Sequence, residues 1–302
     1  MKITIVCGLL GGGKTSFIKN HIDSATEKTV VLVNDFGSLG IDAELISSGG
    51  LETVELPGGC VCCALKMDLM ESVGKIIREM APAHLVIEPS GLASPSGVLE
   101  ALGDIDFNRL DVVCILDASE FMDLYKEEIY GNFFLEQVRL ADMVLLNKTD
   151  LADDVSISGA LDLVKEMNPA AHVVKTVGGC VDGGIPELPL KLSPKLSKIK
   201  KQAQGHGHAL AFKVISMELG DEHSRESIAG LFSQMAEKKF GNIVRAKALV
   251  QTHQGPYRFD LAWGNINEVT FNSALSRSRL VVIGPDIVPD IMEEEIRNFL
   301  QA

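Results

Sequence analysis

A glycine-rich loop near the N-terminus, Gly8-Leu9-Leu10-Gly11-Gly12-Gly13-Lys14-Thr15, lies between an apolar run and an amphipathic segment. The spacing matches a phosphate-binding loop, in which glycines follow a strand and a lysine and a hydroxyl residue open a helix. Glycines let backbone N–H groups face phosphate oxygens, and the helix N-terminus attracts negative charge. Because spacing and flanks are both correct, they argue against a chance glycine turn. The loop predicts a nucleotide-binding domain.

Short apolar runs alternate with amphipathic segments through the first 175 residues. This alternation predicts βαβ units and an α/β domain with a mainly parallel sheet and helices on both faces. Ligands of such sheets bind at the carboxyl ends of the strands. The predicted strands are Ile3–Cys7, Thr29–Asn34, His84–Glu88, Asp111–Leu116, Asp142–Asn147 and Ala171–Lys175, and the predicted helices are Lys14–Ala25, Lys66–Met80, Phe133–Leu140 and Ile157–Met167.

The character of the chain changes after Lys175. Val177–Gly184 is rich in glycine and Pro186–Gly207 is rich in Pro, Lys, Ser and Gln, which is typical of a linker. From His208 onward the pattern predicts a small α+β domain with helices on one face of a mostly antiparallel sheet. We therefore predict a phosphate-loop domain over residues 1–186, a linker over 187–207 and a C-terminal α+β domain over 208–302. Its predicted elements are strands at Ala209–Met217, Asn242–Thr252, Tyr257–Ala262, Ile266–Phe271 and Leu280–Ile283, and helices at Asp221–Lys238 and Pro289–Leu300.

The net charge of −13 argues against nucleic acid or an anionic membrane as a partner, because both require a basic surface. No apolar run reaches the roughly 18 residues that a membrane span needs. The N-terminal apolar run leads into a glycine loop rather than a signal-peptide cleavage site. We expect a cytoplasmic protein with reduced cysteines, so clustered thiols are interpreted as metal ligands or redox groups.

The segment Asn147-Lys148-Thr149-Asp150 follows the apolar run Met143–Leu146. A carboxylate at Asp150 can accept both the N1–H and the 2-amino group of guanine, whereas adenine offers no such pair of donors. These four residues are a weak signal alone, but after a phosphate loop they favour GTP over ATP. The predicted nucleotide-binding residues are Gly8, Gly11, Gly12, Gly13, Lys14, Thr15, Ser16, Asn147, Lys148 and Asp150.

Two of these positions carry chemistry together with Glu88. Lys14 is expected to reach the β and γ phosphates, and the Thr15 hydroxyl to hold Mg²⁺. Glu88 ends a strand, a position from which a carboxylate can bind the Mg²⁺ shell or polarise the attacking water. A strand-edge charge without such a role is the alternative. We assign Lys14 and Glu88 as catalytic and Asp117, which ends the next strand, as structural.

Three of the six cysteines lie within Gly58–Cys63, at positions 60, 62 and 63. They are too close in sequence for strain-free disulfides, and thiolates suit Zn²⁺, Co²⁺, Ni²⁺ or Cu(I). Cys60 and Cys62 are the stronger pair, because the adjacent Cys62 and Cys63 cannot easily both bind with ideal geometry. Tetrahedral zinc needs four ligands, so two or three local thiolates imply either an open, exchangeable site or a ligand from elsewhere such as Asp35. A buried inert cluster is the alternative.

The other cysteines have different settings. Cys7 and Cys114 fall in apolar strands and are predicted to be core residues, and Cys180 lies in a glycine-rich stretch without an evident partner.

These motifs together resemble those of the CobW-like GTPases, metal chaperones related to cobalamin-synthesis and zinc-handling proteins. The loop GLLGGGKT, then NDFG, GGCVCC, EPSGLASP, LDA and NKTD occur in family order within residues 1–150, and Arg279–Gly284 resembles the end of the family's C-terminal domain. The resemblance implies slow GTP hydrolysis with Mg²⁺. It further implies GTP-controlled release of a transition metal, zinc or cobalt, from the thiolates to a client metalloprotein or cofactor-synthesis enzyme. A homodimer is one option for the assembly.

Two other functions are compatible with the same motifs. A GTP-dependent activator would dock on a metalloenzyme or corrinoid protein and remodel it without carrying metal, and its cysteines would be structural or redox-sensing. A small-molecule kinase is disfavoured, because the guanine motif is accompanied by no obvious site for an acceptor substrate.

Overall fold

The computed structural model describes residues 1–9, 11–22, 27–33, 43, 46–47, 51–55, 64–89, 95–103, 105–126, 131–181, 213–220, 223–270, 275, 277–285 and 287–301. The chain divides into two compact units. None of the helices in these ranges is both long and apolar enough to span a bilayer.

The first unit is built around a parallel sheet. Its described strands are β1 (Lys2–Gly8), β2 (Thr29–Val33), β3 (Glu52–Glu55), β4 (His84–Glu88), β5 (Arg109–Asp117), β6 (Met143–Asn147) and β7 (His172–Lys175). They pair only in parallel, in the order β3-β2-β4-β1-β5-β6-β7. Strands β2 and β6 are buried along their whole length, as a sheet covered on both faces requires. The predicted α/β architecture is confirmed.

Helices connect these strands. Their bounds are α1 (Lys14–Ile22), α2 (Ala64–Met80), α3 (Pro95–Ala101), α4 (Phe121–Lys126), α5 (Gly131–Leu140) and α6 (Asp154–Met167). Helix α6 begins three residues before the predicted start, because the Asp153 carboxylate accepts a hydrogen bond from the Ser156 N–H at 2.7 Å and caps it. The sequence did not predict β3, α3 or α4. Strand β3 lacks an apolar run, and α3 and α4 are too short to show a helical period.

The strand order decides which residues meet at the carboxyl edge of the sheet. Strand β1 lies between β4 and β5, and Gly8 at its end is in register with Ile115. Glu88 ends β4, and Asp117 at the end of β5 is in register with Asn147 at the end of β6. The phosphate loop, the acidic strand ends and the predicted base-recognition motif therefore share one edge.

The second unit is an antiparallel sheet with helices. Its described elements are β8 (Lys213–Leu219), α7 (Arg225–Ala236), β9 (Arg245–Thr252), β10 (Gly255–Ala262), β11 (Asn265–Thr270), β12 (Ser278–Gly284) and α8 (Pro289–Gln301), with strand order β11-β10-β9-β12-β8. Alternate side chains of the strands, such as Ala246 and Ala248, form one core cluster with Phe232 and Ile296 of the helices. The predicted α+β architecture is thereby confirmed.

Strand β9 begins at Arg245 rather than at the predicted Asn242, and a helix of this unit also begins later than predicted. Helix α7 begins after Ser224 rather than at Asp221, because the Ser224 hydroxyl accepts from the Ser227 N–H at 3.0 Å and caps the helix. Residues 182–212 lie outside the described ranges, so the linker over 187–207 and the domain limits at 186 and 208 stay predictions.

A buried histidine at the opposite end of the sheet makes stability depend on pH. His84 hydrogen bonds to the Thr4 hydroxyl at 2.8 Å, and burial, aided by the charge of Lys2, lowers the pKa of His84 from 6.5 to about 4. Because the folded pKa lies below the unfolded one, stability present above pH 6.5 is lost as pH falls towards 4. The difference between these two pKa values corresponds to at most about 3 kcal/mol of stability. Urea unfolding between pH 7 and 4 should show His84→Gln losing less stability than wild type, and equal losses would contradict this.

Candidate nucleotide-binding site

The glycines of the phosphate loop lie against neighbouring backbone and side chains. Gly8 has φ +141°, and a Cβ there would come within 2.3 Å of the Ile115 carbonyl oxygen. Gly13 has φ +105°, and a Cβ there would come within 2.4 Å of Asn147 Nδ2. Both positions therefore require glycine, which lets the loop pass between the end of β5 and the side chain of Asn147.

Lys14 opens helix α1 with its ammonium inside the loop. The residue is buried, and Nζ donates hydrogen bonds to the carbonyl oxygens of Gly8 at 3.1 Å and Leu9 at 3.2 Å. The loop thus places a cation at the point where the phosphates of a nucleotide would bring negative charge. The phosphate-binding role of Lys14 stays a prediction.

The residues predicted to hold Mg²⁺ and to act on water are in contact. The Thr15 hydroxyl donates to Glu88 Oε1 at 3.3 Å, and Glu88 is buried at the end of β4. Neutral and anionic oxygens are the ligands that Mg²⁺ prefers, so this hydroxyl–carboxylate pair fits a magnesium ion. Held there, the ion would neutralise charge on the phosphate oxygens.

A single buried side chain, Asn147, joins three loops of the site. Its Nδ2 donates to the Gly12 carbonyl at 2.8 Å, which fixes the phosphate loop. Its Oδ1 accepts from the Thr176 hydroxyl at 3.1 Å and from the Gly179 N–H at 2.9 Å. Both ends of the amide are satisfied inside the protein, where an unmet polar group would cost about 1–3 kcal/mol. The phosphate loop and the base-recognition motif are therefore one connected structure.

The segment Thr176–Val181, the end of this connected structure, lies inside the predicted phosphate-loop domain, although its composition from Val177 onward is typical of a linker. The Thr149 hydroxyl donates to the Thr176 carbonyl at 3.2 Å. From helix α1, Asn20 Nδ2 donates to the Gly178 carbonyl at 2.9 Å and to Cys180 Sγ at 3.1 Å, so Cys180 has a partner. The segment directly follows β7 at the carboxyl edge of the sheet, where ligands bind. That position was the sequence signal that could have assigned these residues to the site.

Helix α1 holds the same segment through His21. The Val181 N–H donates to His21 Nε2 at 3.0 Å, and the Gly179 carbonyl lies at the same distance from that nitrogen. Burial lowers the pKa of His21, opposed by the Gly179 carbonyl, so the neutral ring is favoured and can accept the Val181 hydrogen bond. Helix α1, which follows the phosphate loop, thus also supports the segment Thr176–Val181.

The remaining predicted nucleotide-binding residues lie along the same edge. Lys148 has φ +59°, and its Nζ lies 2.5 Å from Asp117 Oδ2. Asp150 is exposed in the turn that the Leu151 N–H closes on the Lys148 carbonyl at 3.0 Å. Gly11 lies in the phosphate loop, and Ser16 is exposed in the first turn of α1.

The predicted transition-metal ligands Asp35, Cys60, Cys62 and Cys63 lie outside the described residues. Within the ranges that are described, no group of three or more His, Cys, Asp or Glu side chains could hold a metal ion.

Cys7 and Cys114 are buried, as predicted, and in register on β1 and β5. A hydrogen bond to Cys7, together with burial, raises the pKa of the Cys114 thiol, which makes it a poor metal ligand.

A parallel sheet with a phosphate loop linked to a base-recognition motif defines a phosphate-loop nucleotide-binding protein. Comparison with protein families matches residues 2–175 to the CobW/HypB/UreG nucleotide-binding domain. This match covers more than half of the chain, and the chain belongs to the CobW/HypB/UreG family.

Curated relatives share parts of the sequence. The zinc chaperone YeiR of Escherichia coli is 30% identical over 74% of this chain and 69% of its own length. The zinc chaperone CobW of Sinorhizobium is 32% identical over 53% of this chain and 54% of its own, and the zinc-regulated GTPase metalloprotein activator 1 of Dictyostelium discoideum is 27% identical over 68% and 51%. The matches thus span only about half of the last two relatives.

Among solved structures, zinc-bound YjiA GTPase from E. coli aligns with 100% of this chain and 98% of its own at 16% identity. Its TM-score of 0.42 is too low to support an argument about this chain.

Proposed function

We propose that the protein binds GTP with Mg²⁺ and hydrolyses it slowly. The observation that carries this proposal is the Asn147 side chain, which links the phosphate loop at Gly12 to the loop at Thr176 and Gly179. A base held by the motif that begins at Asn147 and phosphates held by the glycine loop would therefore be placed by one rigid connection. Membership of the CobW/HypB/UreG family supports the same assignment.

Each residue in this proposal has a separate task. Lys14 neutralises charge on the β and γ phosphates, and Thr15 and Glu88 hold Mg²⁺, directly or through its water shell. The Glu88 carboxylate also orients the attacking water. Asp150 accepts two hydrogen bonds from the guanine edge, so that adenine would leave its carboxylate unpaired.

We further propose that the nucleotide state controls the binding of a transition metal as cargo. Cys60, Cys62 and Cys63 are the proposed thiolate ligands, and Asp35 is a proposed additional ligand. A ligand set of this kind suits both Zn²⁺ and Co²⁺. The names of YeiR and of the Sinorhizobium CobW, both zinc chaperones, support zinc as the first metal to test. The recipient would be a client metalloprotein or a cofactor-synthesis enzyme.

The alternative is a GTP-dependent activator that docks on a metalloprotein without delivering metal. The name of the Dictyostelium relative, a zinc-regulated GTPase metalloprotein activator, favours keeping this second function. In that case the cysteines would be structural or would sense redox state, and the loss of one thiolate would leave docking on the client intact.

The proposed reaction is tested with Glu88→Gln, which keeps the size of the side chain and removes its charge. We expect single-turnover GTP hydrolysis to fall about 10²-fold, since a positioned acid or base contributes 10²–10⁴-fold. Binding of a GTP analogue should change much less. Glu100→Gln, an exposed change on α3, is the matched control. Phosphate release with GTP and with ATP is the measurement, and a wild-type protein that hydrolyses ATP as well as GTP would refute the assignment.

A further inference from the structure

We infer that Asp117 is a positioning residue for base recognition, which it serves by holding the ammonium of Lys148. The inference rests on the proposed GTP function and deepens it. Asp117 lies in the LDA segment, and from the sequence it is interpreted as structural. The structure places its carboxylate against a residue of the base-recognition motif.

The Asp117 carboxylate is held from both sides at the end of β5. Its Oδ1 accepts hydrogen bonds from the Ser119 N–H at 3.0 Å and the Ser119 hydroxyl at 2.6 Å. Its Oδ2 lies 2.5 Å from Lys148 Nζ and receives no directed hydrogen bond in the described part of the chain, so this contact is an ion pair. The carboxylate side chain is only 8% exposed, so the pair is screened less than one on the surface.

Lys148 is held in a backbone conformation that a lysine seldom adopts. Its φ of +59° is left-handed, which costs a residue with a Cβ roughly 1 kcal/mol or more. Its neighbours are fixed, because the Ala118 N–H donates to the Asn147 carbonyl at 2.8 Å and the Thr149 N–H to the Thr176 carbonyl at 3.3 Å. The ion pair with Asp117 fixes the far end of the side chain as well.

This arrangement draws the lysine side chain across the edge of the sheet. Lys148 follows the end of β6 and its ammonium meets the end of β5, so the methylene stem bridges two neighbouring strand ends. Such a stem is apolar along its length and can support the face of a flat ring. Asp150 lies two positions further along the same loop and is assigned to the edge of the base. Asp117 therefore affects how Lys148 supports the face of the base. It does not contact the edge groups that distinguish one purine from another.

The test compares Asp117→Asn with Asp111→Asn in the 302-residue chain. Asp111 is a matched control, because it lies on the same strand, is similarly buried and forms an ion pair with Arg109 at 2.6 Å at the opposite end of the sheet. Dissociation constants are measured by calorimetry for GTP and for inosine triphosphate, which lacks the 2-amino group. Lys148→Met keeps an apolar stem, removes the charge and breaks the same ion pair from the lysine side. The double variant Asp117→Asn/Lys148→Met completes a double-mutant cycle.

We expect Asp117→Asn to weaken the binding of GTP and of inosine triphosphate by the same factor, about tenfold. Asp111→Asn should change the affinity for either nucleotide by less than about twofold. Lys148→Met should produce a similar loss, and the double variant should bind about as well as the weaker single variant. Additive losses, a changed ratio between the two nucleotides, or an Asp117→Asn affinity equal to that of wild type would overturn the inference while leaving GTP binding intact. A wild-type protein that binds neither nucleotide would overturn the proposed function as well.

Discussion

Asp150→Asn is expected to convert the base preference from guanine to xanthine. The carboxylate accepts from both N1–H and the 2-amino group of guanine, whereas an amide accepts one hydrogen bond and donates one. Xanthine carries an oxygen in place of the 2-amino group and so matches the amide. We expect GTP affinity to fall roughly 100-fold or more, because a mismatched donor or acceptor remains unpaired in the site. Affinity for xanthosine triphosphate should rise above that for GTP.

Competition binding of the two nucleotides to wild type and variant measures this switch. Asp154→Asn, an exposed carboxylate in the first turn of α6, is the matched control and should keep the preference for GTP. Equal losses for both nucleotides in Asp150→Asn would mean that Asp150 supports the loop and does not contact the base.

Gly13→Ala is expected to remove nucleotide binding by separating the phosphate loop from Asn147. The added Cβ would lie 2.4 Å from Asn147 Nδ2, at a backbone φ of +105°. Asn147 would have to move, and its hydrogen bonds to Gly12, Thr176 and Gly179 would be strained together. We expect GTP affinity to fall at least about 100-fold, and the free energy of unfolding to fall by about 2–4 kcal/mol.

Gly241→Ala separates the cost of the left-handed backbone from that of the collision. Gly241 has φ +87°, and apart from its chain neighbours no described residue has an atom within 4 Å of an added Cβ there. Gly241 lies in the second unit. Urea unfolding should show a loss of about 1–2 kcal/mol for this control, with unchanged GTP affinity. A Gly13→Ala protein that binds GTP as wild type does would show that the loop tolerates the displacement of Asn147.

The parts of the site that could be predicted are motifs with a characteristic residue spacing. The phosphate loop, Asn147–Asp150 and Glu88 could be placed because strand ends of a parallel sheet meet at one edge. Helix starts were missed by a few residues, since Asp153 and Ser224 act as caps ahead of the apolar pattern.

The contacts that complete the site could not be predicted from spacing. The role of Thr176–Val181 depends on hydrogen bonds to Asn147 and to Asn20, which are distant in sequence. The pair of Asp117 with Lys148 depends on the register between β5 and β6. By composition alone, Thr176–Val181 resembles a linker and Asp117 resembles a structural acid. Only the folded chain brings each of them next to its partners.

A cobalt titration tests whether GTP controls metal binding at Cys60, Cys62 and Cys63. Thiolate-to-Co²⁺ absorbance would be followed with Mg²⁺ and a GTP analogue, with GDP and without nucleotide, and then during displacement by Zn²⁺. Cys62→Ser should abolish the nucleotide dependence, and Cys180→Ser, which changes an exposed cysteine outside the proposed ligand set, should retain it.

We predict that the GTP analogue raises metal affinity by about tenfold or more over GDP, and that affinity rises with pH as the thiols deprotonate. Metal affinity that is the same in all three nucleotide states would contradict GTP control of metal binding. The absence of a thiolate-to-Co²⁺ band in every state would favour the activator.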